Sequence, residues 1–320
     1  EHINEARFSL TGETAEKFLK KNIDLYVEET VQFQDALLKN LIETAKVKTI
    51  SRQQGLSSAD IICSLNKLSL DDIAHVKQDT LVVSFLDPFN EVELISELKN
   101  RFISSISMEL VPRTTRAQKM DALSSQANLA GYSAVIIASN HLEKALPMMM
   151  TAAGTISPSK VFVVGVGVAG LQAIATAKRL GARVEAFDTR EEVEDQVKSL
   201  GARFVKIDLG ETEQTSQGYA KALTADQIKK QQEGMKKVCS SSDIVITTAQ
   251  VFGRPAPKII TAEMVEAMQP GSVVVDMAVS SGGNVEGSKK GEIVDIKGIK
   301  IIGNVNLPGE VPTHASQVYA

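Results

Sequence analysis

Three glycines, Gly165, Gly167 and Gly170, stand at the spacing that lets a backbone turn wrap a pyrophosphate. They follow an apolar run at 161–164 and open a helix-forming stretch at 169–180, which is the context this spacing requires. Gly165 permits the tight turn, Gly167 lets backbone N–H groups approach the phosphates, and Gly170 lets the helix pack against the strand. Val168 and Ala169 stand where that helix begins, and its dipole adds partial positive charge there. Asp188 ends the next strand, in EAFDTR, about 20 residues beyond the glycines, where a carboxylate can accept hydrogen bonds from an adenosine ribose. That carboxylate would also repel a 2′-phosphate. Arg190, past Thr189, could bind one instead, but the acid comes first at the strand end, so NAD(H) is expected. A plainer role for Asp188 is to cap the helix beginning near Arg190.

The rest of the chain is poor in reactive chemistry. Its four histidines, His2, His75, His141 and His314, lie in unrelated contexts, and no GxSxG elbow, paired-cysteine spacing or HExxH occurs. No metal site is expected. Cys63 and Cys239 cannot form a disulfide framework and read as small buried apolar residues in a reducing compartment. A dense polar cluster remains: Arg113, Arg116, Gln118, Asp121, Ser124 and Gln126.

The elements that must position these groups alternate. Short β-rich runs at 23–27, 61–65, 81–86 and 102–108 are separated by helical spacing at 13–21, 35–45, 70–76 and 92–100. Two helices are expected across 113–157, with the methionines at 148–150 filling core. A second alternation places strands at 161–164, 183–187, 204–207, 244–247, 273–277 and 300–302, and helices at 169–180, 191–200, 225–238 and 262–268. Residues 208–223 are polar and lack either periodicity, as in a long functional loop.

The 320 residues are 43% hydrophobic, enough for two domains, and 35 Lys+Arg against 39 Asp+Glu give a net charge of −4. Nucleic acid is an unfavourable partner for that balance. The longest apolar stretch, 161–177, is shorter than the about 20 residues a spanning helix needs, so a soluble chain is expected.

At RAQKMDALSSQANLAGY, PMMMTAAGT and GVGVAGLQAIATAKRLGA the chain resembles the NAD(H)-binding domain of proton-translocating NAD(P) transhydrogenase, in the alanine dehydrogenase superfamily. The likeness runs from 108 to 303, including TTA at 247–249 and QPGS at 269–272, and is looser before 108. The family's opening strand is absent and members continue past Ala320, so a domain clipped at both ends is expected. The resemblance implies that Arg113, Asp121 and Ser124 hold the nicotinamide ring and carboxamide, while Gln118 reaches NADP(H) on a partner domain. It implies that Tyr219 rides a loop that closes over the site, and that Thr248 and Ala249 join the glycine turn, Asp188, Thr189 and Arg190 around the cofactor. Thr114 stands where many members carry a bulkier apolar residue, a difference nothing in the sequence explains.

Alanine dehydrogenase is the nearest alternative. Its substrate arginine matches Arg7, but its lysine, histidine and aspartate fall at Ser64, near Ser84 and Phe85, and at Ser280. Amine oxidation needs a positioned base, whereas passing hydride between two nicotinamide rings needs only alignment at about 3–3.5 Å and exclusion of water. The expectation is therefore an α/β chain of two Rossmann-like doubly wound domains with a cleft between them. Residues 1–124 with a returning segment at 305–320 form one, and 125–304 the NAD(H)-binding other. The implied activity is transhydrogenation coupled to proton translocation by an absent membrane domain, in a homodimer on the cytoplasmic or matrix face of that membrane. A non-catalytic NAD-sensing module is the third alternative.

Overall fold

The computed structural model describes residues 5–29, 35–210, 224–250 and 253–320. The chain divides into two compact units, Glu1–Gln126 with Val311–Ala320, and Ala127–Glu310. Both are mixed α/β with parallel sheets.

In the first unit, α1 (Gly12–Leu19), β1 (Tyr26–Glu28), α2 (Ala36–Glu43), β2 (Lys48–Ile50), α3 (Arg52–Ser58), β3 (Ile61–Cys63), α4 (Leu70–His75), β4 (Leu81–Ser84), α5 (Val92–Asn100) and β5 (Ser104–Ser107) follow in order. β1 pairs in parallel with β2, and β3, β4 and β5 form a separate parallel sheet. Each of the first four helices starts at a side chain that accepts an otherwise unpaired N–H: Thr11, Asp35, Ser51 and Ser69. Leu56, Ile73, Val82, Leu94 and Leu98 form the core around β4. The buried Glu109 carboxylate accepts from Leu86 N, Asp87 N and the Ser107 hydroxyl, tying the end of β5 to the end of β4.

α6 (Ala122–His141) begins in that unit and continues into the second. Instead of a second helix there follows an antiparallel hairpin, β6 (Met149–Thr151) and β7 (Gly154–Ile156). The methionines therefore do not fill core, for Met148 is 61% and Met150 83% exposed. Helix propensity misled here because methionine favours helices, whereas Pro147 and Pro158 bracket an extended segment.

The seven-stranded sheet comprises β8 (Lys160–Val164), β9 (Arg183–Phe187), β10 (Arg203–Phe204), β11 (Ile244–Thr247), β12 (Val273–Asp276), β13 (Ile293–Ile296) and β14 (Ile299–Ile302). Between them run α7 (Val168–Arg179), α8 (Glu194–Ser199), α9 (Ala225–Ser240) and α10 (Ala262–Glu266). The order is β10-β9-β8-β11-β12-β14-β13, with only β13 antiparallel. From β8 the chain moves outward to β10, then returns to lay β11 on the other flank of β8. That reversal is the switch point at which open α/β sheets bind ligands. Alternate residues point to opposite faces: Val161, Val163, Ile244 and Ile246 meet α6 and α7, while Phe162, Val164, Val245 and Val274 meet α9 and α10. Both faces are covered, which explains the unbroken apolar strands. Burial pushes the Cys239 thiol up to about 12, whereas Cys63, expected to be buried, lies exposed on an edge strand.

α11 (Pro312–Tyr319) belongs to the first unit. The Phe8 N–H donates to Ser316 Oγ, Tyr319 donates its hydroxyl to Ser64 O at 3.0 Å, and its ring lies 5.4 Å from that of Phe85.

One ion pair in this unit carries a pH dependence. Arg52 reaches Asp72 through Nε and Nη2, both at 2.8 Å, and Glu28 through Nη1. Hydrogen bonding to Arg52 holds the Asp72 carboxyl well below the usual range. A carboxyl lowered on folding stabilises above its unfolded value and loses that contribution as pH falls toward its folded one. Wild type should therefore exceed Asp72→Asn by about 1 kcal/mol at pH 6, a difference that shrinks below about pH 4. Denaturant midpoints measured across that range check it, and a pH-independent gap would show that the charge is not responsible.

Candidate functional site

The turn between β8 and α7 is built with almost no side chain. Gly165 sits at φ +95°, in the left-handed region open mainly to glycine. A Cβ there would lie 2.6 Å from Thr248 Oγ1, which donates to Gly165 O at 3.0 Å. A Cβ at Gly170 would come within 1.9 Å of Gly165 O, so only glycine lets the first turn of α7 close on the strand end. Gly167 differs, since a Cβ there meets nothing within 4 Å. The open side of the turn lies at this residue.

That opening suits a diphosphate. Gly167 is the N-cap of α7 and makes no side-chain cap, and the N–H groups of Val168, Ala169 and Gly170 have no acceptor among the described residues. Unpaired donors at the positive end of a twelve-residue helix, beside a glycine that leaves room, fit the phosphates of a dinucleotide. Gly131 of α6 extends the same close packing, for a Cβ on it would lie 2.1 Å from Ala169 O. In the sequence it shows only as a small residue inside an apolar helix.

Asp188, 9% exposed, follows β9. Its Oδ2 accepts from Val166 N at 2.7 Å, and its Oδ1 from Arg190 N at 2.9 Å. It does not cap α8 or the short turn before it, neither of which has a side-chain cap. Arg190 folds back on the same carboxylate, with Nε and Nη2 each 2.9 Å away, and this hydrogen bonding raises its pKa. The guanidinium is thus held in the turn and steadies the carboxylate. Beside the pair, Phe187, Thr189, Glu191, Phe204 and Lys206 line a recess at the carboxyl ends of β9 and β10.

On the other flank of β8, Thr247, Thr248 and Ala249 leave β11. Asn284, fully buried, accepts from Ala249 N at 3.1 Å and donates to Ala249 O and Pro257 O, both at 2.8 Å. Behind it the fully buried Asp276 accepts from the N–H groups of Ala278, Asn284 and Val285. Neither residue was singled out from sequence, although a run of valines ending in aspartate marks a strand that stops at a polar site.

The polar cluster expected around a ring falls in the first unit. Asp121 stands before α6 and accepts from Ser124 N at 2.9 Å and Ser124 Oγ at 2.6 Å. It acts as the helix's cap and keeps acceptor capacity, with Arg113 Nε 3.9 Å from Oδ2. Gln118 starts a single 3₁₀ turn, and its amide is exposed with no hydrogen bond to a described residue. Gln126 is buried, accepting from Arg7 Nη1 and donating to Ala315 O. Arg7 also donates to Glu5 through Nε and Nη2, at 2.8 and 2.7 Å. Tyr219 lies outside the described residues. Arg113, Gln118, Asp121 and Ser124 belong to one unit, and the glycine turn, Asp188, Thr248 and Ala249 to the other.

Family models described as "Alanine dehydrogenase/PNT, N-terminal domain" and "Alanine dehydrogenase/PNT, C-terminal domain" match residues 1–130 and 134–320. An NAD(P) transhydrogenase alpha-subunit polypeptide of Rickettsia prowazekii is 44% identical, over 99% of this chain and 84% of the relative. The crystal structure of transhydrogenase from Sinorhizobium meliloti superposes with a TM-score of 0.87 at 40% identity, covering 100% of this chain and 88% of that one. An L-alanine dehydrogenase structure superposes at 0.80 with 22% identity, covering 99% and 84%, a likeness of fold.

The glycine geometry separates two substitutions. Gly170→Ala should destabilise the second unit by about 1–3 kcal/mol through overpacking, while Gly167→Ala should change stability by no more than about 0.5 kcal/mol. Thermal melting of both variants checks this, and equal losses would contradict the contacts described.

Proposed function

Because the chain belongs to the alanine dehydrogenase/PNT family, on the branch of the NAD(P) transhydrogenase alpha subunits, we propose that it is the NAD(H)-binding component of such an enzyme. The observation that carries this reading is the open glycine turn with its unpaired helix N–H groups. NAD(H), when bound, supplies a hydride that is exchanged with NADP(H) held on a partner domain. Val168, Ala169 and Gly170 hold the pyrophosphate through their N–H groups, and Asp188, steadied by Arg190, accepts from the adenosine ribose. Thr189 lines the recess beside that ribose, and Thr248 and Ala249 support the other half. Arg113, Asp121 and Ser124 orient the nicotinamide ring and carboxamide, and Gln118 reaches across to the NADP(H) side.

No step in this exchange needs a proton acceptor, because the hydride leaves one ring and enters another. The side chains assigned to the ring bind and align, and exclusion of water protects the transfer. Arg7, the residue matching an alanine dehydrogenase's substrate arginine, is committed to Glu5 and Gln126, and exposed Ser280 stands where that chemistry has its aspartate. Both features favour transhydrogenation over amine oxidation. Among the described residues no helix is long and apolar enough to cross a membrane. In this reading, coupling to proton translocation belongs to a membrane domain, with this chain on its cytoplasmic or matrix face.

The β6–β7 hairpin supports a homodimer. Met149 and Ile156, each 44% exposed, and Met150, 83% exposed, decorate a two-stranded ribbon of a kind that is marginally stable alone. A second copy of the chain would cover it. The double variant Met150→Lys, Ile156→Lys should run as a monomer in sedimentation while keeping its affinity for NADH; an unchanged dimer would move the interface elsewhere.

The activity is tested by mixing the chain with NADH and an NADP⁺-loaded transhydrogenase partner subunit. Exchange should occur, and Gln118→Ala should slow it with little change in NADH affinity. Turnover of about 1–1000 per second with NADH, pyruvate and ammonia instead would mark an amino-acid dehydrogenase.

A further inference from the structure

We infer that Asn284, held by Asp276, is a positioning residue for the nicotinamide half of the dinucleotide, an inference that rests on the functional reading above. The glycine turn at the end of β8 marks the middle of a dinucleotide site. Asp188 and the recess lie toward β9 and β10, whereas Ala249 lies past β11, on the opposite flank of the switch point. A residue that fixes Ala249 therefore acts on one half of the ligand.

Asn284 has a partner for every polar group it carries, and two of those bonds are to Ala249. One amide accepts from the N–H of Ala249 and donates to its C=O, reproducing the pairing a neighbouring strand would give a residue past the sheet's end. Its second amide proton holds Pro257 O, so the two ends of the segment 249–257 hang on a single side chain. Its own C=O accepts from Ile259 N at 2.8 Å and Ile260 N at 3.0 Å. Asp276 then orients it, through Asn284 N at 3.1 Å to Oδ1. The same carboxylate takes the Thr247 hydroxyl at 3.4 Å, joining the end of β11 to the turn that carries Asn284. Lys258 closes that turn with donations to Gly282 O and Val285 O. Gly283 keeps it tight, at φ +80°, since a Cβ there would lie 2.6 Å from Asp276 Oδ2. A fully satisfied buried polar network over-determines one backbone position, and here that position faces the ligand's second half.

The test compares two ligands on one protein, because ADP occupies only the adenosine side. Asn284→Ser should weaken NADH binding about tenfold and leave ADP affinity within about twofold. Asn284→Asp keeps the volume and the acceptor for Ala249 N but loses both donations, and should show the same split. Equal loss of both ligands would reveal a purely structural role and overturn the inference, as would unchanged NADH binding. Hydrogen exchange on the unaltered chain needs no variant: NADH should slow exchange at residues 248–250 and 278–285 beyond the effect of ADP. Equal protection by the two ligands would overturn the inference. A wild-type chain that binds ADP but not NADH, or neither, would overturn the functional reading and this inference with it.

Discussion

The second unit depends on a contact that contains no side chain: the first turn of α7 rests on the carbonyl of Gly165, where a single extra carbon would lie 1.9 Å away. From that closeness follow the direction of the helix axis, the exposure of its unpaired N–H groups and the room left at Gly167. The surrounding polar groups tighten the same turn. Thr248 donates to its carbonyl from one side, and Asp188 takes the Val166 N–H from the other. A rigid turn with donors already aimed needs little reordering when an anion arrives.

The parts of this arrangement that were legible in the sequence are the local ones. Three glycines, a strand before them and an acid at the end of the next strand all fall within residues 160–190, and each element shows its own periodicity. The parallel sheet was readable because strands covered on both faces are continuously apolar. Short elements carrying little burial were not: strand β2 has no buried residue, and helix α3 is interrupted by Gly55 and serines. The hairpin was hidden for a different reason, since its apolar residues face outward and mimic a core segment.

The polar supports were illegible because their partners are distant in sequence. Asn284 and Ala249 are 35 residues apart, and Gln126 and Ala315 are 189 apart. No spacing rule connects such pairs; only the strand order brings β11 beside β12 and puts Thr247 opposite Asp276. The ring cluster was found as a group of polar residues, but its internal logic appeared only with the fold. Asp121 and Ser124 pair with each other at the start of α6, so the order of this cluster comes from the helix end. Arg190 likewise proves to be a partner of Asp188 rather than its competitor.

The two borders of the seven-stranded sheet carry a consequence for solubility during synthesis. β10 offers only Arg203 and Phe204 to a passing chain, and β13 runs against its neighbour, with Asp295 in the strand and a tight Lys297–Gly298 reversal beside it. Neither border presents a long, flat, uncharged ladder of the kind that templates amyloid-like growth. The very apolar interior strands can therefore emerge from the ribosome beside many copies of themselves, with the finished sheet offering nascent chains little to recruit onto.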